Sequence, residues 1–265
     1  MDAIAQFKVN QKAMWSGFAP IEMFTGMAAP RLVQFARVER GAKVLDVACG
    51  TGVVALTAAR AGAKVTGLDL TPELIARAKE NAAIAKLEIQ WHEGDAEELP
   101  FGDGTFDVVL SQFGHIFAPR PEVVVREMLR VLRPGGTIAF ATWPPELFTG
   151  SMFAMTGKYS PAPPPAGVSP PPQWGDPNVV RERLGNAVKD LVFDRHLMRM
   201  PMLSPQHGLA FMEHNVGPVA RLTKALEGAP EKLASLRREL EALITLYFED
   251  NAMRQDYLLS RAVKV

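Results

Sequence analysis

The chain has 265 residues, with 29 Lys plus Arg against 29 Asp plus Glu, so its formal net charge is zero. That balance argues against a nucleic-acid footprint or an anionic-membrane surface. A single Cys excludes an intramolecular disulfide, and no apolar run approaches the roughly 20 residues of a membrane span.

The opening stretch, MDAIAQFKVNQKAMW, lacks the apolar core of a signal peptide, so a cytoplasmic location is expected. Residues 1–40 are rich in large apolar side chains and are interrupted at Pro20 and Pro30. They predict two or three short helices packed on something else.

Residues 41–142 alternate strand and helix. Strands are predicted at Lys43–Ala48, Lys64–Asp69, Leu87–His92, Phe106–Gln112 and Thr137–Thr142. Helices are predicted at Val53–Arg60, Pro72–Ala85 and Pro121–Leu132, the last closed by Arg133-Pro134-Gly135-Gly136. Right-handed crossovers then imply a doubly wound, mostly parallel α/β sheet.

Residues 143–187 change character. Pro161–Pro172 (PAPPPAGVSPPP) can hold neither helix nor central strand, and a loop over a site mouth ending at Trp174-Gly175 is expected. Asp176–Gly185 predicts a short helix. Residues 188–265 predict strands at Leu191–Met200 and Asp256–Val265 around an inserted helical cap at about 201–250. The longest helix there, Pro230–Glu249, places Leu233, Leu236, Leu240, Leu243, Ile244, Tyr247 and Phe248 near a 3.6-residue period.

The informative stretch is Val44–Gly52, VLDVACGTG. An apolar strand runs into a Gly-x-Gly turn and then a helix, the arrangement that brings backbone N–H groups against a nucleotide-like ligand. Gly50 and Gly52 let the backbone approach without a Cβ. Asp46 interrupts the apolar strand and must be hydrogen-bonded. Asp69, at the end of strand two and 17 positions after Gly52, can accept both hydroxyls of a ribose. Cys49 reads as a small buried filler.

VLDVACGTG, GDAEELPF (Gly94–Phe101), FDVVLSQF (Phe106–Phe113) and RVLRPGG (Arg130–Gly136) together resemble the motifs of class I S-adenosylmethionine (SAM)-dependent methyltransferases. The nearest group is the ubiquinone/menaquinone-biosynthesis type. The resemblance implies a Rossmann-like methyltransferase fold of seven strands, with the last strand antiparallel between strands five and six. It implies an N-terminal helical lid at 1–40, a SAM-binding core at 41–142, a Pro-rich loop and cap segment at 143–187, and a C-terminal part of the core at 188–265. It also implies SAM as cofactor, S-adenosylhomocysteine as product and a small-molecule methyl acceptor. Cofactor contacts are expected at Asp46, Ala48, Gly50, Gly52, Asp69, Leu70, Asp95, Ala96, Ser111 and Gln112. Asp95 would accept the adenine amino group, and Leu70 would pack on the adenine face.

The Gly50–Ala55 segment also satisfies the G-x-G-x-x-A pattern of NAD(P)-dependent oxidoreductases, and a non-catalytic SAM-binding protein would retain the same motifs. His115, just past strand four, is the candidate base or acceptor-orienting group. Trp15, Phe18, Phe113, Phe117, Trp143, Phe148, Tyr159 and Trp174 are the candidates for an apolar acceptor pocket. The five His (His92, His115, His196, His207 and His214) show no metal-ligand spacing, so no metal is expected. Oligomeric state and the acceptor's identity are open at this stage.

Overall fold

A computed structural model describes residues 3–160 and 163–265. Pro161 and Ala162, the start of the expected proline-rich loop, and the first two residues of the expected lid lie outside the described residues.

Three short helices open the chain: α1 (Ala3–Trp15), α2 (Glu22–Thr25) and α3 (Ala29–Phe35). The core then alternates β1 (Lys43–Val47), α4 (Val53–Arg60), β2 (Lys64–Asp69), α5 (Pro72–Ala85), β3 (Gln90–Glu93), β4 (Phe106–Gln112), α6 (Pro121–Val131) and β5 (Leu132–Thr142). After it come α7 (Phe148–Tyr159), α8 (Pro177–Leu184), β6 (Val188–Pro201), α9 (Pro205–Asn215), α10 (Gly217–Ala225), α11 (Pro230–Tyr247), β7 (Phe248–Glu249) and β8 (Ala252–Lys264).

The sheet runs β3-β2-β1-β4-β5-β8-β6, with the two-residue β7 added against β8. β1 through β5 pair in parallel, and β8 is antiparallel to both β5 and β6. This is the expected doubly wound sheet with an antiparallel last strand, plus one minor strand. The order reverses between β1 and β4, and a crevice opens there at the carboxyl ends of the strands.

Burial explains the strands. Val44, Leu45 and Val47 of β1 and Val109 and Leu110 of β4 are fully or almost fully buried, as parallel strands covered on both faces must be. A second apolar cluster lies in the cap. Leu236, Leu240 and Ile244 of α11 pack there with Met212, Val219, Phe148 and Met253.

Several expected boundaries move: β6 starts at Val188 rather than Leu191, and β8 at Ala252 rather than Asp256. β3 starts at Gln90 rather than Leu87, because the Leu87 N–H donates to the Ala82 carbonyl and closes α5. The chain meets β2 only where Gln90 pairs with Thr66. Arg133-Pro134-Gly135-Gly136 does not end the helix ahead of a strand. It is a bulge inside β5, with Phe106 opposite Leu132 and Val108 opposite Thr137. Gly135, at φ +71°, takes the left-handed conformation that the bulge requires.

Candidate functional site

The glycine turn is built from below by two carboxylates. Gly52, at φ +83°, caps α4, and a Cβ there would stand 2.6 Å from the Trp91 ring. Asp46 Oδ2 accepts the Ala55 N–H at 3.0 Å and so satisfies a first-turn donor of α4 from the strand. Its Oδ1 has no partner among the described residues. Burial raises the Asp46 carboxyl to about 8, so it is largely neutral at pH 7. Asp69 straps the turn from the next strand. Its Oδ2 accepts the Gly50 N–H at 2.8 Å and its Oδ1 accepts the Thr71 N–H at 2.9 Å. Burial also raises Asp69, opposed by those N–H groups.

A single deep cavity opens above this turn and runs across the carboxyl edge of the sheet. Its first end is walled by Ala48, Gly50, Asp69, Leu70, Asp95 and Ala96. A Cβ on Gly50 would meet nothing within 4 Å, so the turn's backbone faces open space. α1 closes this end: Lys8 Nζ lies 2.6 Å from both Asp95 Oδ2 and Glu97 Oε2. Asp95 Oδ1 accepts the Glu97 N–H. Gln112 stands midway, its Nε2 donating to the Thr25 carbonyl at 2.8 Å. Gln112 Oε1 is buried and has no partner among the described residues.

The other end is apolar. Phe113 and Trp143 stack with centroids 3.8 Å apart, and Trp15 packs on Phe117 at 4.5 Å. Phe18, Phe148, Met152, Met198, Met200, Met212 and Met253 complete the wall, with Thr149 and Gln255 as its polar points. The aromatic residues were visible as candidates in the sequence; the methionines and Gln255 were not. Their signal was present: Met198 and Met200 on β6, and Met253 and Gln255 on β8, are two apart and share a face.

Several expected residues stand elsewhere. Asp46 and Gly52 build the turn and do not reach the cavity wall. Ser111 points the other way from Gln112, because adjacent strand residues alternate. Its hydroxyl donates to the Val47 carbonyl at 2.7 Å. Tyr159 donates its hydroxyl to Glu239 on α11. Trp174 is 1% exposed and packs edge-on to Phe140. The segment 163–175 therefore contributes nothing to the cavity wall, contrary to the expected loop over its mouth. The Ser169 N–H reaches the carbonyl of Pro119, itself a wall residue, so that loop is tied behind the wall without lining it.

His115 is also displaced. It is 1% exposed, wedged between Phe140 and Trp174, and does not line the cavity. Both ring nitrogens are without partners among the described residues. Phe113, at φ +61°, explains this: the left-handed turn sends its own side chain into the cavity and His115 back into the core. Burial, then the nearby Arg183 charge, push the imidazole down to about 3. The unfolded chain therefore binds a proton near 6.5 that the native chain refuses, and stability falls as pH drops from 6.5 toward 3. His115→Leu is expected to reduce that acid loss in thermal melts across the window and to leave turnover unchanged. A large loss of turnover in a variant that melts normally would return His115 to the site.

Among the described residues, no cluster of His, Cys, Asp and Glu could hold a metal, and no helix is long and apolar enough to cross a membrane.

The comparisons with known proteins agree with this geometry. A family profile described as a methyltransferase domain matches residues 44–136. The uncharacterized protein Rv1403c of Mycobacterium tuberculosis is 37% identical over 259 residues, 96% of this chain and 94% of its own length. A demethylmenaquinone methyltransferase of Chlorobaculum parvum is 46% identical over 99 residues, 37% of this chain and 39% of that one. The Bacillus halodurans protein BH2331 shares the fold at a TM-score of 0.60 and 21% identity, over 89% of this chain and 98% of that one. Motif core and sheet order point the same way: the chain belongs to the class I SAM-dependent methyltransferase family and is an enzyme of that kind.

Proposed function

We propose that the cavity binds SAM at its β1–β3 end and a small lipophilic or aromatic acceptor in the apolar chamber beyond. One observation carries this reading. A single cavity joins a carboxylate-bearing, backbone-rich end to a wall of aromatic and methionine side chains.

The residues at the first end suit the cofactor. Asp69 spends one lone pair on each of two backbone donors, and its oxygens have capacity left for the ribose hydroxyls. Leu70 offers an apolar face to the adenine, with Asp95 and the Ala96 backbone at its edge. Gln112 Oε1, a buried acceptor with no donor among the described residues, suits the ammonium of the methionine moiety. Asp46 acts indirectly by holding α4 and the turn in place.

When bound, SAM supplies a methyl group made electrophilic by the sulfonium charge. This chain's part is to hold an acceptor in line with it and to keep water out. The Phe113–Trp143 stack and the Trp15–Phe117 pair, all four on the cavity wall, supply the apolar surface for both.

Calorimetric titration with SAM, S-adenosylhomocysteine and NAD tests the reading. Saturable binding of the first two and none of the third is expected. Binding of NAD alone would overturn it.

A further inference from the structure

The titratable side chains on the cavity wall, among the described residues, are Lys8, Cys49, Asp69 and Asp95. All four stand at the cofactor end. Cys49 follows β1 and donates to the Gly50 carbonyl, Asp69 ends β2, and Asp95 follows β3 with Lys8 paired to it. Burial holds the Cys49 thiol protonated. Among the described residues, the chamber over β4, β5, β8 and β6 offers Thr149, Gln255 and Gln112 as polar groups and no acid or base. Titratable rings stand behind it: Tyr257 packs edge-on to Phe113, Tyr247 edge-on to Phe148, and His115 sits against Phe140. None of the three is on the wall, and burial moves His115 and Tyr257 away from ionising at neutral pH.

This wall constrains the nucleophile. An alcohol or phenol would need a base that the chamber lacks. An aliphatic amine arrives as an ammonium, which would lose its water with no carboxylate to meet it. A thiol is the acidic, soft alternative. An aryl thiol ionises well below the roughly 10 of a phenol, and at comparable basicity a thiolate is the stronger nucleophile toward carbon. An apolar wall also favours a reaction that removes charge, because attraction between opposite charges strengthens as water leaves.

Resting on the cofactor reading above, we propose that the acceptor is a lipophilic thiol that binds as its own thiolate and is S-methylated without a protein base. The thiol proton leaves to bulk water on binding. A thiolate lone pair then forms the new sulfur–carbon bond to the methyl group as the sulfonium–methyl bond breaks. That bond's electron pair stays on the cofactor sulfur, and both products are neutral thioethers. Met152, Met198, Met200, Met212 and Met253 supply a polarizable wall that adapts to the thiol's apolar body.

The test uses the full chain with three acceptors of one size: phenylmethanethiol, 4-methylphenol and benzylamine. With SAM present, the thiol is expected to be methylated at least about ten-fold faster than either of the others at pH 7, through its anion fraction and its greater nucleophilicity together. Its kcat/KM should rise with pH to an inflection at the thiol's own ionisation. With the more acidic thiophenol, that inflection should move down to the new acceptor's value.

A second readout needs no turnover. Calorimetry of phenylmethanethiol in buffers of different ionisation heat should show release of one proton on binding to the sinefungin complex. That unreactive analogue carries an amine in place of the methylsulfonium. The S-adenosylhomocysteine complex, which has no such charge, should show no release. An inflection that stays fixed across both thiols would overturn the proposal, as would faster turnover of the phenol or the amine. So would SAM binding with no thiol turnover. Failure to bind SAM at all would instead overturn the reading beneath it.

Discussion

Asp69→Ala is expected to weaken SAM binding by about 3 kcal/mol or more, roughly a hundred-fold in Kd. Two losses combine. The ribose loses a charged acceptor, worth about 1.5–3 kcal/mol. The Gly50 and Thr71 N–H groups, held at 2.8 and 2.9 Å, lose their partners as well. The turn would then be free to move away from the ligand. Asp69→Asn keeps one carbonyl oxygen and should fall between the two. It also guards against an alanine variant that is simply misfolded, because its shape is unchanged. The measurement is calorimetric titration of each variant, checked by circular dichroism for native structure. Affinity equal to wild type in a folded Asp69→Ala would remove the ribose role.

The same carboxylate predicts a pH trend. Burial raises Asp69 above its usual range, and a protonated carboxyl has lost acceptor capacity. SAM affinity should therefore rise as pH climbs through that raised value, then level off. The Asn variant, which cannot ionise, should lack the trend.

The sheet was legible in the sequence because parallel strands must be apolar on both faces and helices must cover them. Val44–Val47 and Phe106–Gln112 could hardly be anything else. The glycine turn was legible for a related reason: only glycine opens the backbone to a ligand at Gly50. The cap was visible as helices but not as a chamber wall. Its inward residues come from four separate elements, and nothing local to any one of them says what they face. Lys8 and Asp95 stand 87 positions apart, and their pairing is a fact of tertiary structure alone.

His115 shows a different limit. Proximity to β4 suggested a site residue, but one left-handed residue at Phe113 reverses which side chain enters the cavity. That conformation is unusual for a large aromatic residue, and no periodicity announces it. Ser111 and Gln112 were within reach, by contrast. Strand alternation alone forbids both from facing the same ligand, and the structure turns Gln112 to the cavity and Ser111 to the Val47 carbonyl.

Gly175→Ala is expected to be the most damaging single-methyl addition to stability. An ideal Cβ at Gly175 would stand 2.0 Å from the Trp143 carbonyl oxygen, 2.3 Å from its carbon and 2.5 Å from the Pro144 nitrogen. All three atoms are backbone, so no side chain can rotate aside. The Trp143–Pro144 segment must shift or Trp174 must leave its buried seat. The cost sits at or above the upper end for overpacking, about 3 kcal/mol. In a domain of this size that lowers Tm by roughly 6–12 °C.

Gly157→Ala in α7 is the matched control. A Cβ there meets nothing within 4 Å, and removing a helical glycine should stabilise by roughly 0.5–1 kcal/mol. The functional consequence of Gly175→Ala should be one-sided. Trp143 stacks on Phe113 at the acceptor end, away from Asp69 and the glycine turn. Below the lowered Tm, the acceptor's KM should rise while calorimetric SAM affinity holds. Thermal melts and the two binding measurements therefore separate a damaged chamber from a damaged fold. A variant melting with wild type would mean that Gly175 does not press on Trp143 as the geometry requires.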